Sequence, residues 1–158
     1  SNLRIGFGVD YHQIQKGNSM ILGGIKIDCG YSILAHSDGD IILHSICDAL
    51  LGAASIGDLG TVFKEDESTE NISSSDLLNQ VLNQLSEGSY QIVNLDITYV
   101  GEVPRISKYR EKILSNLSKL MNLNEEVLSV KSTTTDKLGA IGNREGIACY
   151  CSALIQKK

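Results

Sequence analysis

The stretch from Asp38 to about Ala54 constrains the fold most. Ile41, Ile42, Ser45, Ile46, Ala49 and Leu50 recur there at helical spacing and give one helix an apolar face that must be covered. The material to cover it is written as strands. Residues 3–10 read as a strand, Met20–Ile27 as short extended pieces broken by Gly23-Gly24, and Gln91–Val100 as an alternating strand with Ile92, Leu95, Ile97 and Tyr99 among its apolar positions. Val127–Thr133 and Ile147–Ile155 complete the strands. Ser73–Leu85 predicts a second helix, opened by the N-cap run Ser73-Ser74-Ser75-Asp76 and ended before Gly88. Pro104, the single proline, marks a break before a third helix over about Ser107–Met121, with Tyr109, Ile113, Leu117 and Leu120 in its register. Strands and helices intersperse without regular βαβ alternation, so the expected class is α+β, with helices covering one face of a mixed sheet.

The 158 residues suit one domain with a sizeable core, and 42% hydrophobic with 21% charged residues is ordinary for a globular chain. A net charge of −5 argues against a nucleic-acid surface, because binders that release counterions are usually basic. An anionic ligand would have to be held locally by metal ions and backbone amides. No apolar run approaches the roughly 18 residues that span a bilayer, and no signal peptide is visible, so no membrane role is expected. Cys29, Cys47, Cys149 and Cys151 form neither a disulfide framework nor a CxxC clip. Cys149 and Cys151 alternate with Tyr150 and read as small core residues sharing one strand face, which fits a reducing, intracellular compartment. The one loose segment is the acidic run Lys64-Glu65-Asp66-Glu67-Ser68-Thr69-Glu70.

The three histidines, His12, His36 and His44, each lie within four residues of an aspartate. Asp10 and His12 lie two apart on a strand and so project from one face, roughly 6–7 Å apart along the backbone. Together with His44 they supply two imidazoles and a carboxylate, the donor set of a zinc ion that keeps a vacancy for substrate. A half-buried strand end with a solvated Asp and His is the bland alternative. Asp40, His44 and Asp48 make an i, i+4, i+8 stripe, which is either a solvated charged face or a ligand with Asp40 or Asp48 accepting from its second ring nitrogen. His36 and Ser37 precede the helix, where free N–H groups favour a phosphate, although Ser37 or Asp38 serves equally as an N-cap. Gly57-Asp58-Leu59-Gly60 reads as a flexible turn carrying one carboxylate, or as a simple helix C-cap. Ser132-Thr133-Thr134-Thr135-Asp136-Lys137-Leu138-Gly139 offers hydroxyls and amides to a phosphate and an oxygen to Mg²⁺, or is a strand end with a Thr-capped turn.

Taken jointly, the chain resembles the 2-C-methyl-D-erythritol 2,4-cyclodiphosphate synthase family. The matching pieces are Arg4-x-Gly6-x-Gly8-x-Asp10-x-His12, Leu34-Ala35-His36-Ser37-Asp38-Gly39-Asp40, His44, Asp48-Ala49-Leu50-Leu51-Gly52-Ala53, Ile56-Gly57-Asp58-Leu59-Gly60, Thr133-Thr134-Thr135-Asp136-Lys137-Leu138-Gly139 and Glu145-Gly146-Ile147-Ala148. They run in family order over almost the whole chain, so residues 1–158 are expected to be a single cyclodiphosphate synthase domain. The resemblance implies conversion of 4-diphosphocytidyl-2-C-methyl-D-erythritol 2-phosphate to the cyclic diphosphate and CMP, in the methylerythritol phosphate route to isoprenoid precursors. It implies Zn²⁺, one per chain, on Asp10, His12 and His44, and Mg²⁺ or Mn²⁺ placed by Asp136, which is one methylene shorter than the family's usual glutamate. His36 and Thr134 match its transition-state stabilisers, and Asp58 and Gly60 its contacts to the erythritol. Gly101, Val103, Pro104, Arg105, Ile106 and Ser107, with Ser132, Thr133, Thr134, Thr135 and Asp136, match its cytidine and phosphate pocket. Asp10, His12, His36, Ser37, Leu59, Phe63 and Glu67 complete the expected substrate contacts.

The expected fold, a mixed four-stranded-type sheet with helices on one face in a ferredoxin-like arrangement, would then be repeated in a homotrimer with an active site at each subunit junction. A cytoplasmic, bacterial-type location is implied, or a plastid-type organelle after removal of a transit peptide. Two departures stand out. Gly139-Ala140-Ile141-Gly142-Asn143-Arg144-Glu145-Gly146 lacks the family's aromatic residue and displaces its arginine by one position, which on a strand reverses the side chain's facing. Lys64 replaces the common proline of the acidic loop. Two alternative readings of the chain are an idle trimeric binding protein that keeps the fold and the metal and a metal-dependent phosphohydrolase using the same site, and release of CMP with a cyclic product separates the synthase from both.

Overall fold

The computed structural model describes residues 2–63 and 72–158. Seven strands are present among these residues: β1 (Leu3–Lys16), β2 (Ser19–Leu22), β3 (Ile25–Asp28), β4 (Tyr31–Leu34), β5 (Tyr90–Val100), β6 (Leu128–Thr133) and β7 (Gly146–Lys157). The α-helices are α1 (Ile41–Ala53), α2 (Leu59–Val62), α3 (Ser74–Glu87), α4 (Arg110–Met121) and α5 (Gly139–Gly142). The main sheet runs β4-β1-β7-β5-β6, with β5 and β6 parallel and the other neighbours antiparallel, while β2 and β3 form a separate hairpin. Among the described residues no helix is long and apolar enough to cross a membrane.

The sheet has five strands where four were expected. The fifth is β4, whose residues pair with Gln13–Lys16 and so also carry β1 beyond residue 10. Tyr31-Ser32-Ile33-Leu34 lies on an edge with no fully buried position, so it lacks the alternation that marks a strand in sequence. The long strands and main helices follow the order β1-α1-α3-β5-α4-β6-β7, in which the last two strands are consecutive. A ferredoxin-like chain instead alternates as strand, helix, two strands, helix, strand.

Strand pairing explains the buried pattern. Ile147, Cys149, Cys151, Ala153 and Ile155 of β7 share one face with Gly6, Gly8, Asp10 and His12 of β1, so Cys149 and Cys151 are core residues as expected. In β5 a bulge between Ile92 and Asn94 changes the parity. Ile92 and Leu95 therefore face the same way, opposite Ile155 and Ala153. Leu78, Val81 and Leu85 of α3 and Ile113, Leu117 and Met121 of α4 join this core at helical spacing.

Helix α1 is buried on nearly every side, between the sheet and α3. It lies directly on β1, because a Cβ built on Gly6 would fall 1.9 Å from the Ala49 carbonyl oxygen and one on Gly8 would fall 2.0 Å from that of Ser45. Only glycine at these two strand positions lets helix and strand backbones touch. The helix starts later than the sequence suggested. Asp40, rather than Ser37 or Asp38, is the N-cap; its Oδ1 accepts from Leu43 N at 3.1 Å and Gly23 N at 2.9 Å, and its Oδ2 from Gly24 N at 2.7 Å. Burial pushes the Asp40 carboxyl up to about 6 against those three donors.

Gly8→Ala is expected to lower stability by about 1–3 kcal/mol or more, since the clash is with backbone that cannot rotate away. Gly52→Ala, on the exposed side of the same helix with nothing within 4 Å of its Cβ, should raise stability by about 0.5–1 kcal/mol. Denaturant unfolding of both variants checks the pair, and equal effects would remove the close-approach argument.

Candidate active site

With α1 seated on Gly6 and Gly8, the side chain of its first turn that faces further along β1 is His44. The strand presents Asp10 and His12 to it from one face. His12 Nε2 lies 2.9 Å from Asp10 Oδ2, His44 Nδ1 lies 3.2 Å from the same oxygen, and the two ring nitrogens are 3.4 Å apart. These are the edges of one compact triangle. A tetrahedral ion with bonds of about 2.0–2.1 Å holds its ligand atoms roughly 3.3–3.4 Å apart, so the three atoms fit a single metal with one position left open. Among the described residues this is the group of His, Cys, Asp and Glu side chains that converges closely enough to hold one.

The electrostatics agree with a site built for a cation. Burial pushes the Asp10 carboxyl up, but hydrogen bonds and charge from His12 and His44 outweigh it and hold it at about 2. Burial pulls His44 down, and the hydrogen bond and charge of Asp10, with Asp40 and Asp38 behind it, raise it overall. Protons and a metal ion compete for the same ligand atoms, so affinity for a metal falls with acidity.

The second nitrogen of His44 finds a different partner from the expected one. Asp48 Oδ1 accepts from Leu59 N at 2.8 Å, and Asp40 is occupied at the helix start. His44 Nε2 instead lies 2.8 Å from the Ser74 hydroxyl, at the first residue of α3. In sequence Ser74 is one of three serines in an N-cap run; Ser73 makes the cap, accepting from Asp76 N at 3.1 Å, and frees Ser74 to turn inward. No spacing rule connects residues 44 and 74.

The triangle opens into a cavity of about 630 Å³, within the range of small-molecule pockets. Its walls include Ala35, His36, Ser37, Asp58, Leu59, Gly60, Phe63, Ile72 and Leu77. His36 and Ser37 stand well before the helix start, so they reach the cavity as loop residues and not through a free helix terminus. The expected turn at Gly57–Gly60 is the start of α2. Asp58 caps it, accepting from Thr61 N at 2.8 Å, and this hydrogen bond lowers its carboxyl's pKa. Glu67 and Lys64 lie outside the described residues.

The remaining expected residues form a second group. Gly101 N donates to Thr133 O at 3.0 Å, and the Tyr99 hydroxyl donates to Val103 O at 2.7 Å. Together these bonds hold the Gly101–Ser107 loop against the end of β6. Pro104 and Ile106 are buried in it, while Arg105 and Ser107 are exposed. Ser132, Thr133, Thr134 and Asp136 are exposed and Thr135 half-buried, with Asp136 and Lys137 both at positive φ, +55° and +64°. None of this group lines the cavity of the metal triangle. Register places both groups at one end of the sheet: His12 pairs with Ile147 and Val100 with Ala148, so β7 separates them. The altered segment is not a strand before Gly146, where β7 begins. Gly139–Gly142 is a single helical turn, and Arg144 sits at φ +60° with its guanidinium 6.0 Å from the Tyr31 ring centre.

Comparison with known proteins places this geometry. A profile of the YgbB family matches residues 3–156. The chain belongs to that family. It is 44% identical over 158 residues to a 2-C-methyl-D-erythritol 2,4-cyclodiphosphate synthase of Leptospira interrogans, covering 98% of each chain. The structure of IspF from Plasmodium falciparum in complex with CDP superimposes with a TM-score of 0.89 at 38% identity, over 100% of this chain and 99% of that one. The bifunctional IspDF of Campylobacter jejuni superimposes with a TM-score of 0.94 at 33% identity, over 99% of this chain, which spans 42% of that longer one.

If the triangle is a metal centre, stripped protein back-titrated with divalent ions should take up about one tightly held ion per chain, and His44→Ala should lose it. Elemental analysis finding the ion undiminished in that variant would remove His44 from the ligand set.

Proposed function

We propose that the chain converts 4-diphosphocytidyl-2-C-methyl-D-erythritol 2-phosphate to 2-C-methyl-D-erythritol 2,4-cyclodiphosphate and CMP. The observation that carries this reading is the Asp10–His12–His44 triangle opening into a small-molecule cavity in a chain whose relatives bear the name of that synthase. An oxygen of the 2-phosphate forms the new bond to the β-phosphorus, the bond from that phosphorus to the bridging oxygen breaks, and the electron pair leaves with CMP. Nucleophile and target are both anionic, so catalysis is a matter of alignment and charge neutralisation.

Zn²⁺ is the ion proposed for the triangle, where it would supply a Lewis acid to a phosphate oxygen. His36, on the cavity wall, and Thr134 are assigned to charge developing on the phosphates, and Asp58 with Gly60 to the erythritol hydroxyls. The Gly101–Ser107 and Ser132–Asp136 segments are assigned to the cytidine and its phosphates. Asp136 is assigned to Mg²⁺ or Mn²⁺ through water, because its exposed, short carboxylate stands apart from the triangle.

The assembly proposed is a homotrimer, and two observations support association of one chain with another. Among the described residues the cavity and the segments assigned to the cytidine do not meet within one chain, which supports a second copy bringing them together. The sheet face turned away from α1 is also apolar, with Ile5 82%, Phe7 63% and Tyr11 60% exposed beside Tyr150. An antiparallel sheet facing water carries polar residues there, so this face asks for a partner.

His36→Ala and Thr134→Ala should lower turnover by on the order of ten- to a thousandfold with zinc content unchanged. Asp136→Asn should raise the Mg²⁺ requirement. The assay is CMP release together with the cyclic product; CMP appearing with an open-chain product would overturn the synthase reading in favour of hydrolysis. Co-expressed His44→Ala and Thr134→Ala subunits should recover part of the activity that each lacks alone. No recovery from mixed oligomers would mean that each site is built within one chain.

A further inference from the structure

Ser74 is fully buried, yet its hydroxyl touches two polar groups that belong to different parts of the chain. On one side is the Asp38 carboxylate, hydrogen-bonded through Oδ1. On the other is His44 Nε2 at 2.8 Å. Asp38 already receives two backbone N–H groups, from Asp40 to Oδ1 at 3.0 Å and from Ser74 to Oδ2 at 3.0 Å. A carboxylate in that setting only accepts. The single proton of the Ser74 hydroxyl is therefore directed to Asp38, and the lone pair left on Oγ must accept from His44 Nε2–H. An imidazole whose Nε2 proton is held in this way offers Nδ1, the atom at the corner of the triangle and 3.2 Å from Asp10 Oδ2, as the nitrogen whose lone pair an ion takes in place of a proton.

We propose that Ser74, polarised by Asp38, is a positioning residue that fixes both the tautomer and the ring orientation of His44 so that Nδ1 is presented to the metal. The proposal rests on the reading of Asp10, His12 and His44 as a metal centre. It also gives the start of α3 a task beyond packing, because the backbone N–H and the side chain of one residue bind the same carboxylate and lock the helix start to the loop before α1. The sequence offers no hint of this chain of bonds, since its three members stand at positions 38, 44 and 74.

The test measures Zn²⁺ affinity of the full-length chain by competition with a chromophoric chelator at fixed pH, alongside the thermal midpoint of each metal-free variant. Loss of an outer hydrogen bond to a histidine ligand weakens metal binding by about 10–100-fold. Ser74→Ala is expected to show that loss with its metal-free midpoint near that of the parent, and Ser74→Thr, which keeps the hydroxyl, to restore most of the affinity. Nitrogen-15 spectra of the zinc-loaded parent should show His44 protonated at Nε2. Should Ser74→Ala fail to fold, Asp38→Asn serves instead: an amide cannot accept from all three donors, and affinity should again fall. Zinc affinity within twofold of the parent in Ser74→Ala, while His44→Ala binds none, overturns the proposal and leaves the metal centre standing; the same result in Asp38→Asn does so where Ser74→Ala does not fold. Full zinc binding by His44→Ala overturns the metal centre itself and the role of Ser74 with it.

Discussion

The direct contact between the backbone of α1 and the two strand glycines, Gly6 and Gly8, is the constraint on which the rest of the molecule depends. Side chains ordinarily keep the backbones of packed layers well apart, about 10 Å for stacked sheets. Here two residues of β1 have none, so the helix sinks onto the strand and its first turn is carried level with Asp10 and His12. Were the helix held out by ordinary side chains, His44 Nδ1 would not lie 3.2 Å from Asp10 Oδ2. The spacing of glycines along one strand face thus sets the size of a polar triangle further along the same face. Depth, however, does not fix rotation about the helix axis or the moment at which the helix begins.

Those are set by Asp40. Its carboxylate is fully buried, a costly position that is tolerated because three backbone N–H groups converge on it. Two of those donors come from Gly23 and Gly24, at positive φ in the turn between β2 and β3. The small hairpin outside the main sheet is therefore tied to the start of the central helix, and through it to the position of His44 one turn later. A carboxylate whose pKa is raised to about 6 by burial would be a liability at a bare helix end. In this site it is the joint between two otherwise separate pieces of the fold.

The parts of this architecture that depend on periodicity were readable from the chain. Helices α3 and α4 and strands β5 and β6 bury residues at regular intervals, α1 and β7 are apolar along most of their length, and the bounds of all six were found to within a few residues. The Asp10–His12 pair was legible for the same reason, since alternation on a strand puts them on one face. What escaped detection was short or non-local. The one-turn helices α2 and α5 contain no buried residue, so no pattern marks them. Asp40 and Ser74 escaped because a run such as Asp38-Gly39-Asp40 or Ser73-Ser74-Ser75 offers several equivalent caps, and only the tertiary surroundings select among them. Asp48 looked like a partner of His44 by its place on the helix stripe, but its carboxylate is drawn instead to the Leu59 amide at the start of α2. Helical spacing tells which residues are neighbours, and not which of them has a better partner elsewhere.

A chain of net charge −5 that handles a triply phosphorylated substrate needs its positive potential to be local. Among the described residues the cavity walls carry Asp10, Asp48 and Asp58 but no lysine or arginine, so attraction for phosphate has to come from the two histidines, His36 and the ion they can hold. The second group supplies what the first lacks: Arg105 and Lys137 beside exposed hydroxyls and backbone amides at the ends of β5 and β6. Each group alone is a poor anion site. Acidic ligands suit a cation and hydroxyl-rich loops suit the polar parts of a nucleotide, so the proposed function sets the diphosphate between them. The two groups sit at the ends of strands on either side of β7, so on the proposed reading neither half holds the substrate unaided. On the proposed reading the halves of two subunits are brought together, and the exposed apolar outer face of the sheet, with Ile5, Phe7 and Tyr11, is the surface proposed for that contact.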